Sequence, residues 1–224
     1  MQADIKEILI PTDESAWLNA FAELFIRYVD NKKRHQRIGG SDINALFSKP
    51  GSFALRNLWL EKTGKVEAKD ISHLEAIQRG IKLEPIIRKK IEAKFNCRFD
   101  PIYLEHPEDN FLSGNLDGFD PIGLVVLEIK TMGLNQYFKF LENPKPSKAH
   151  LLQIQHYLGL VLANHKPHFD LNHLLANLKA YYVVYNHDAD SETILTIAPD
   201  LGLIREIEQK AIAFWQDKVL AFKE

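Results

Sequence analysis

The chain of 224 residues is 46% hydrophobic and 26% charged, which is the composition of an ordinary globular protein with a substantial core. Its net charge of −2 means that any nucleic-acid partner must be held by local basic patches, and its single cysteine, Cys97, excludes an intrachain disulfide and cysteine-rich metal clusters. No run approaches the roughly 20 apolar residues that span a bilayer, and the polar start does not resemble a signal peptide, so we expect a cytoplasmic protein without a membrane partner.

The first predicted element is a helix over residues 13–29, where large apolar side chains recur at helical spacing. The basic run 31–37 follows, and it is either a solvated surface segment or part of an anion site. Two glycines then lead into a helix that Ser41 is expected to cap. Because a helix N-terminus beside arginines attracts anions, Arg34 or Arg37 together with Ser41 could bind a phosphate.

Two helices are predicted before the centre of the chain, over residues 53–62 and 81–95. A turn at Gly80 should precede the second helix, since Pro85 is tolerated only near a first helical turn. The expected apolar stripe of that helix consists of Ile86, Ile87 and Ile91. Glu84 is either an acid favoured by the helix dipole or an active-site carboxylate.

Residues 111–130, FLSGNLDGFDPIGLVVLEIK, predict two strands joined by a turn at 120–123. Pairing outward from this turn places Asp117 opposite Val126. Asp117 and Glu128 are then diagonal neighbours on one face, with Cβ atoms roughly 7–8 Å apart or somewhat less. The opposite face of the second strand is wholly apolar, with Val125, Leu127 and Ile129.

The charged end of this hairpin has the chemistry of a metal site. Two carboxylates at such a separation can hold one Mg²⁺ with oxygens about 2.0–2.1 Å from the ion. Lys130, beside them, can orient a water or stabilise charge on a phosphate. The alternative interpretation is an exposed strand end with ordinary surface charges.

An apolar helix is predicted over residues 148–163, with Gln153 and Tyr157 four residues apart on one face. These polar groups form either a core hydrogen-bond network or a face turned toward the hairpin. Three later histidines at irregular spacing are interpreted as solvated side chains of a loop rather than zinc ligands: His165, His168 and His173. The remaining predicted elements are strands over 178–185 and 192–198 and a helix from Asp200 to the end.

These elements predict a single α/β domain over residues 1–224, with a central mixed, twisted sheet flanked by helices. Five motifs occur in a specific order: Ser41-Asp42, Glu84, Asp117-Gly118, Glu128-Ile129-Lys130 and Gln153-x-x-x-Tyr157. In this order they resemble the PD-(D/E)XK nuclease superfamily, and within it the λ-exonuclease and YqaJ-type viral recombinase branch. The resemblance begins near Arg34 and implies a restriction-endonuclease-like core, with residues 1–33 as an N-terminal helical extension.

The resemblance implies roles for individual residues. The implied metal ligands are Asp117, Glu128 and Ile129, and the implied catalytic set adds Lys130, which positions the attacking water, Glu84 and Gln153. The implied substrate-binding residues are Arg34, Arg37, Ser41, Asn115, Tyr157 and Ile77. Arg34 and Ser41 match residues that receive a 5′-phosphate, and Ile77 stands in the place of an apolar wedge that parts the strands. Asn115 replaces the serine of the usual Ser-Pro-Asp-Gly motif.

The implied activity is Mg²⁺-dependent degradation of one strand of linear double-stranded DNA from its 5′ end, which leaves a 3′ single strand for annealing. One or two Mg²⁺ ions are implied, with Mn²⁺ as a substitute. The resemblance also implies a homotrimer, a single-strand annealing protein as partner and the cytoplasm of a bacterial or phage-infected cell. Two alternatives stay open: an endonuclease of the same superfamily that cuts internal or branched sites, and a non-catalytic DNA-binding module.

Overall fold

The computed structural model describes residues 35–67 and 73–223. The predicted helix over 13–29, the extension 1–33 and the side chain of Arg34 lie outside these ranges. Within them, five strands form one mixed sheet in the order β1-β2-β3-β4-β5. All neighbours are antiparallel except β3 and β4, which run parallel. The strands are β1 (Asp100–Glu105), β2 (Ser113–Asp120), β3 (Val125–Met132), β4 (Lys179–Asn186) and β5 (Ser191–Ile197).

Helices precede the sheet, connect its parallel strands and follow it. They are α1 (Ile43–Leu46), α2 (Phe53–Lys62), α3 (Glu75–Phe95), α4 (Leu134–Glu142), α5 (Lys148–His165), α6 (Leu171–Asn177) and α7 (Leu201–Phe214). A 3₁₀ turn, Gly40–Asp42, leads into α1, and α7 continues through a π-helical turn, Trp215–Leu220. The side chains of Ser147 and Asp200 accept the backbone hydrogen bonds that begin α5 and α7, as caps should.

Apolar side chains are buried on both faces of the sheet. On one face, Val126 packs in the main core with the buried residues of α5, such as Leu158. On the other, Leu127 packs in a second cluster with Ile87 of α3. The predicted alternation of β3 is therefore confirmed, because successive side chains of a strand point to opposite faces. No helix in the described ranges is long and apolar enough to cross a membrane.

The predicted register of the hairpin was wrong by two residues. The loop is 121–124, and Leu124 lies within it with φ of 50°, in the left-handed region. Gly118 therefore pairs with Leu127 and Asp120 with Val125. The β2–β3 ladder ends at Gly118, and β2 has one extra residue between Leu116 and Phe119 relative to β1. Asp117 lies in this irregularity, where its Oδ2 accepts a hydrogen bond from the amide of Ile129 and its charge acts on Glu128.

The predicted start of α3 was also wrong. The helix begins at Glu75, so Gly80 and Pro85 both lie inside it. Pro85 and Ile81 both lie on the exposed side of the helix. Because proline has no amide N–H, the carbonyl oxygen of Ile81 has no helical donor, and water can solvate it instead. Ile86, which was expected in the apolar stripe, is 51% exposed, whereas Ile87 and Ile91 are buried as predicted.

Three elements, β1, α4 and α6, were not predicted, and α6 corrects part of the histidine interpretation. His173 belongs to that helix rather than to a loop. His165 is fully buried at the end of α5, with Nδ1 2.8 Å from the carbonyl oxygen of Val161, so it is not a solvated side chain. His168 is exposed, as expected.

Candidate active site at the β2–β3 hairpin

The ends of β2 and β3 bring Asp117, Glu128 and Lys130 together. Asp117 Oδ2 accepts a hydrogen bond of 2.7 Å from the backbone amide of Ile129. Glu128 is fully buried, and its Oε1 lies 2.5 Å from Nζ of Lys130. The ammonium group of Lys130 stays partly exposed, because its side chain retains 27% of its accessible surface. A carboxylate pair with one adjacent cation therefore lies at the edge of the core.

Helix α3 adds a third acid and a second cation to the site. The guanidinium of Arg88 contacts the carboxylate of Glu84, one helical turn earlier, and its Nε donates a 2.6 Å hydrogen bond to the carbonyl oxygen of Asp117. Arg88 thus joins α3 to β2 beside the carboxylates. Sequence reasoning missed this residue, although its i, i+4 spacing from Glu84 was a signal for an ion pair.

The pKa values of the three acids are all raised. Burial, followed by the charge of Asp117, raises the pKa of Glu128 to about 8, against the opposing effect of Lys130. Burial also raises the pKa of Asp117, while Lys130 and the Ile129 amide act in the other direction. The pKa of Glu84 is raised by burial and by Asp117. The repulsion between the charges of Asp117 and Glu128 favours a bound cation.

Lys130 is held in its charged form by these acids. Burial alone would lower the pKa of its ammonium group, but the charges of Glu128 and Asp117 outweigh burial, and the pKa is raised. A lysine in this state can donate hydrogen bonds to a water or a phosphate oxygen, but it cannot act as a base near neutral pH.

The donor set fits a hard cation with many water ligands. Oε2 of Glu128 is buried and makes no hydrogen bond within the described ranges. In those ranges no group of three or more His, Cys, Asp or Glu side chains converges to hold a metal, so a closed all-protein site of the zinc type is not formed. Mg²⁺ commonly uses one or two carboxylates and takes its other ligands from water and substrate phosphates. Asp117 and Glu128 meet that requirement.

Helix α5 turns its predicted polar face toward the hairpin. Gln153 Nε2 donates a 3.0 Å hydrogen bond to the hydroxyl of Tyr157. The ring of Tyr157 lies between two glycines, because a Cβ atom at Gly40 or at Gly114 would be 2.6 Å from its Cε1. Both interpretations of this face therefore hold in part: Tyr157 is buried, and Gln153 stays partly exposed beside the hairpin.

His150 and Tyr182 were not predicted at the site. Tyr182 is aligned with Glu128 in the register of β4 and β3, and its hydroxyl lies 2.7 Å from Nδ1 of His150. Burial and the charge of Lys130 lower the pKa of His150 to about 4. A neutral imidazole and a phenol thus flank the carboxylates. The position of His150, three residues before Gln153, was the available sequence signal.

A cavity of about 230 Å³ opens beside Gln153 and Tyr157. The residues predicted to bind substrate that line it are Arg37, Ser41, Asn115 and Tyr157. Arg37 is held by Glu105, at 2.9 Å, and by the ring of Tyr103, whose centroid is 5.0 Å from the guanidinium carbon. The cavity therefore presents a cation and several polar groups beside Gln153 and Tyr157.

Ser41 and Ile77, both predicted to bind substrate, are exposed. Ser41 does not cap a helix, because the 3₁₀ turn begins after Gly39, whose amide donates to Oδ2 of Asp42 at 3.0 Å. The hydroxyl of Ser41 is instead left exposed for other contacts. Ile77 lies in the first turn of α3 and is 36% exposed, as a wedge would require.

Comparison with known proteins reveals both a family and a fold. The model of the YqaJ-like viral recombinase domain matches residues 31–163. The protein YqaJ of Bacillus subtilis (strain 168) is 31% identical over 190 residues, which are 84% of this chain and 55% of that protein. The chain thus spans about half the length of this curated relative.

Two crystal structures resemble the fold at low sequence identity. The alkaline exonuclease LHK-Exo of Laribacter hongkongensis has a TM-score of 0.64 and 18% identity, over 83% of this chain and 89% of that one. A phage-related exonuclease of Haemophilus somnus 129PT has a TM-score of 0.52 and 13% identity, over 86% of this chain and 98% of that one. These likenesses confirm the predicted fold class.

Proposed function

The chain belongs to the family of YqaJ-like viral recombinase domains, and from this we propose that it is a metal-dependent deoxyribonuclease that degrades one strand of linear double-stranded DNA from its 5′ end. One observation carries the proposal: Glu128 is fully buried beside Asp117 and Lys130, and its Oε2 makes no hydrogen bond in the described ranges. Burial of such a carboxylate costs free energy unless a bound cation compensates its charge, and carboxylates of this kind cluster at functional sites.

Asp117, Glu128 and the main chain of Ile129 would hold one or two Mg²⁺ ions, with Mn²⁺ as a substitute. When bound, Mg²⁺ lowers the pKa of water and neutralises charge on the phosphate. The hydrogen bond from the Ile129 amide fixes one oxygen of Asp117 and thereby orients the other. The ion pair with Lys130 orients Glu128 in the same way.

The remaining catalytic residues position water and charge. Nζ of Lys130 donates to the attacking water and stabilises charge on a phosphate oxygen. Glu84 accepts hydrogen bonds from water at the open side of the carboxylate pair, and Arg88 holds it there. Gln153 presents its amide to the substrate while its Nε2 is anchored on Tyr157.

The cavity beside Gln153 would receive the terminal 5′-phosphate. Arg37 supplies the positive charge, and Ser41 and Asn115 supply hydrogen bonds at its rim. Arg34, which precedes the described residues, would add a second guanidinium. Exposed Ile77 would separate the two strands before cleavage. A homotrimer around the DNA and a single-strand annealing protein that takes up the 3′ strand complete this proposal.

The test is a timed digestion of end-labelled linear duplex and of covalently closed circular DNA, with Mg²⁺ or with a chelator. We expect the linear duplex to be degraded to mononucleotides only with Mg²⁺, and the circle to persist. Loss of the circle would instead identify an endonuclease. Activity that survives Lys130→Ala and Glu128→Ala unchanged would show that this site is not the nuclease centre.

A further inference from the structure

Lys62, the last residue of α2, is buried completely, which is unusual for a lysine. Its Nζ lies 2.8 Å from Oδ2 of Asp42 and 3.1 Å from Oε1 of Glu61. Removing an ammonium group from water is costly, and an apolar side chain would fill the same space without that cost. The contact with Asp42 therefore needs a reason beyond the filling of the core.

Asp42 closes the turn that begins at Gly39. Its Oδ2 accepts a 3.0 Å hydrogen bond from the amide of Gly39, and its own amide donates at 2.9 Å to the carbonyl oxygen of Gly39. The carboxylate oxygen that holds the turn is the same oxygen that faces Lys62. The ammonium group thus fixes the rotamer of Asp42 and, through it, the conformation of the turn.

This turn forms one wall of the cavity beside Gln153. Gly39, Gly40, Ser41 and Asp42 all line the cavity. The backbone at Gly40 lies directly against the ring of Tyr157, since a Cβ there would be 2.6–2.7 Å from three atoms of that side chain. A shift of the turn would therefore move the polar groups of this wall, Ser41 among them.

We infer that Lys62 is a positioning residue for end recognition: through Asp42 it holds the Gly39–Asp42 turn in the form that receives a 5′-terminal phosphate. Lys62 does not touch the phosphate, because its side chain is wholly enclosed. The inference rests on the proposed function and adds that the preference for a phosphorylated end depends on a buried ion pair behind the cavity.

The experiment measures initial rates on linear duplexes that carry either a 5′-phosphate or a 5′-hydroxyl, with Mg²⁺ present. We expect Lys62→Met to raise KM for phosphorylated ends about tenfold while kcat changes less than about twofold, so that the preference for phosphate falls about tenfold. Asp42→Ala should act in the same way. The double variant should be no worse than either single variant, because both act through one turn.

The matched control is Leu58→Ala, which removes a buried apolar side chain four residues earlier on the same helix. Each variant is assayed below its own unfolding midpoint. Equal loss of preference in Leu58→Ala, or additive losses in the double variant, would overturn the inference, as would an unchanged preference in Lys62→Met. A wild-type protein that ignores the phosphate overturns the cavity assignment itself. Should Lys62→Met not fold, Lys62→Gln and Asp42→Asn provide the same comparison.

Discussion

The carboxylate of Asp117 accepts a 2.7 Å hydrogen bond from the backbone amide of Ile129, next to the last backbone pair of the β2–β3 ladder, Gly118 with Leu127. Where the two strands stop pairing, the amide of Ile129 thus donates to a side-chain carboxylate rather than to a main-chain carbonyl. This geometry keeps Asp117 beside Glu128, and on the side of α3 Arg88 donates a hydrogen bond to the carbonyl oxygen of Asp117. The register error in our sequence reasoning hid this relationship, because it set the two acids on a diagonal.

Glu128→Gln should make the metal-free protein more stable. The amide has the same shape but no charge. Burial and the charge of Asp117 disfavour the charged form of Glu128 by more than the ion pair with Lys130 favours it, so its pKa is raised to about 8 and the neutral amide is better tolerated. We expect a gain of about 1–3 kcal/mol in the free energy of unfolding and a loss of nuclease activity of about a hundredfold or more. Thermal unfolding in a chelator and digestion of linear duplex measure the two effects.

Titration with Mg²⁺ separates this prediction from general stabilisation. A cation that binds only the folded state raises the unfolding midpoint of the wild-type protein, and Glu128→Gln should lose most of that rise. Glu206→Gln is the control, because Glu206 is an exposed partner of Lys210 at 3.6 Å and should change stability by less than about 0.5 kcal/mol. A less stable Glu128→Gln protein in chelator would contradict the argument.

Arg88→Met should weaken both the fold and the activity. The substitution keeps much of the side-chain length but removes the 2.6 Å hydrogen bond to Asp117 O and the contact with Glu84. We expect about 1–3 kcal/mol of lost stability and a kcat about 10–100-fold lower, as for residues that orient metal ligands. Lys89→Met, at the exposed neighbouring position, should leave both unchanged. Full activity in Arg88→Met would show that the nuclease activity does not require the hydrogen bond from α3 to β2.

Local signals in the sequence were sufficient for much of the fold. The alternation of β3 predicts its two buried faces, because a strand between two helical layers has only those faces. Ser147 and Asp200 predict their helix starts, because a cap acts on amides two or three residues away. The left-handed conformation of Leu124 could not be anticipated, since leucine rarely adopts it, and the register followed from it.

Contacts between residues distant in sequence were beyond such reasoning. Arg88 and Asp117 meet only because α3 packs on β2 and β3. The pairs His150 with Tyr182 and Lys62 with Asp42 likewise join separate elements. Neither spacing nor periodicity relates such residues, so beyond the hairpin itself only the resemblance to a family could bring residues of the site together. Arg88, His150, Tyr182 and Lys62 lay outside that resemblance.

His156→Gln should reduce the acid sensitivity of the fold. Burial lowers the pKa of His156 to about 4, although its Nε2 lies 2.9 Å from the carbonyl oxygen of Ser113, which acts in the opposite direction. The unfolded chain takes up this proton near pH 6.5 and the folded chain only near pH 4. The contribution of neutral His156 to the free energy of unfolding is therefore complete above pH 6.5. It falls by about 1.4 kcal/mol per pH unit below pH 6.5 and is absent below pH 4.

The measurement is urea unfolding of the wild-type and His156→Gln proteins between neutral pH and about pH 5. The wild-type protein should lose more stability than the variant over this interval, because glutamine takes up no proton. His168→Gln, at an exposed position, should follow the wild-type curve. Parallel curves for the wild-type and His156→Gln proteins would show that His156 is not the group that resists protonation.

Gly114→Ala should destabilise the protein and impair the nuclease, whereas Gly80→Ala should do neither. A Cβ at position 114 would lie 2.6 Å from Cε1 and 2.8 Å from Cδ1 of Tyr157, so the ring must move, and with it the hydroxyl that anchors Gln153. We expect a cost of about 1–3 kcal/mol for this overpacking. At Gly80 a Cβ meets nothing within 4 Å, and the residue is inside α3. Alanine there should stabilise the helix by about 0.5–1 kcal/mol, because glycine loses more backbone entropy on folding.

Thermal unfolding and digestion of linear duplex distinguish the two glycine variants. Gly80→Ala should retain wild-type activity with a higher midpoint. Gly114→Ala should have a lower midpoint and an activity that stays low even at temperatures where it is fully folded, since the displaced Tyr157 no longer holds Gln153. Normal activity of folded Gly114→Ala would mean that Gln153 does not depend on the tyrosine for its position.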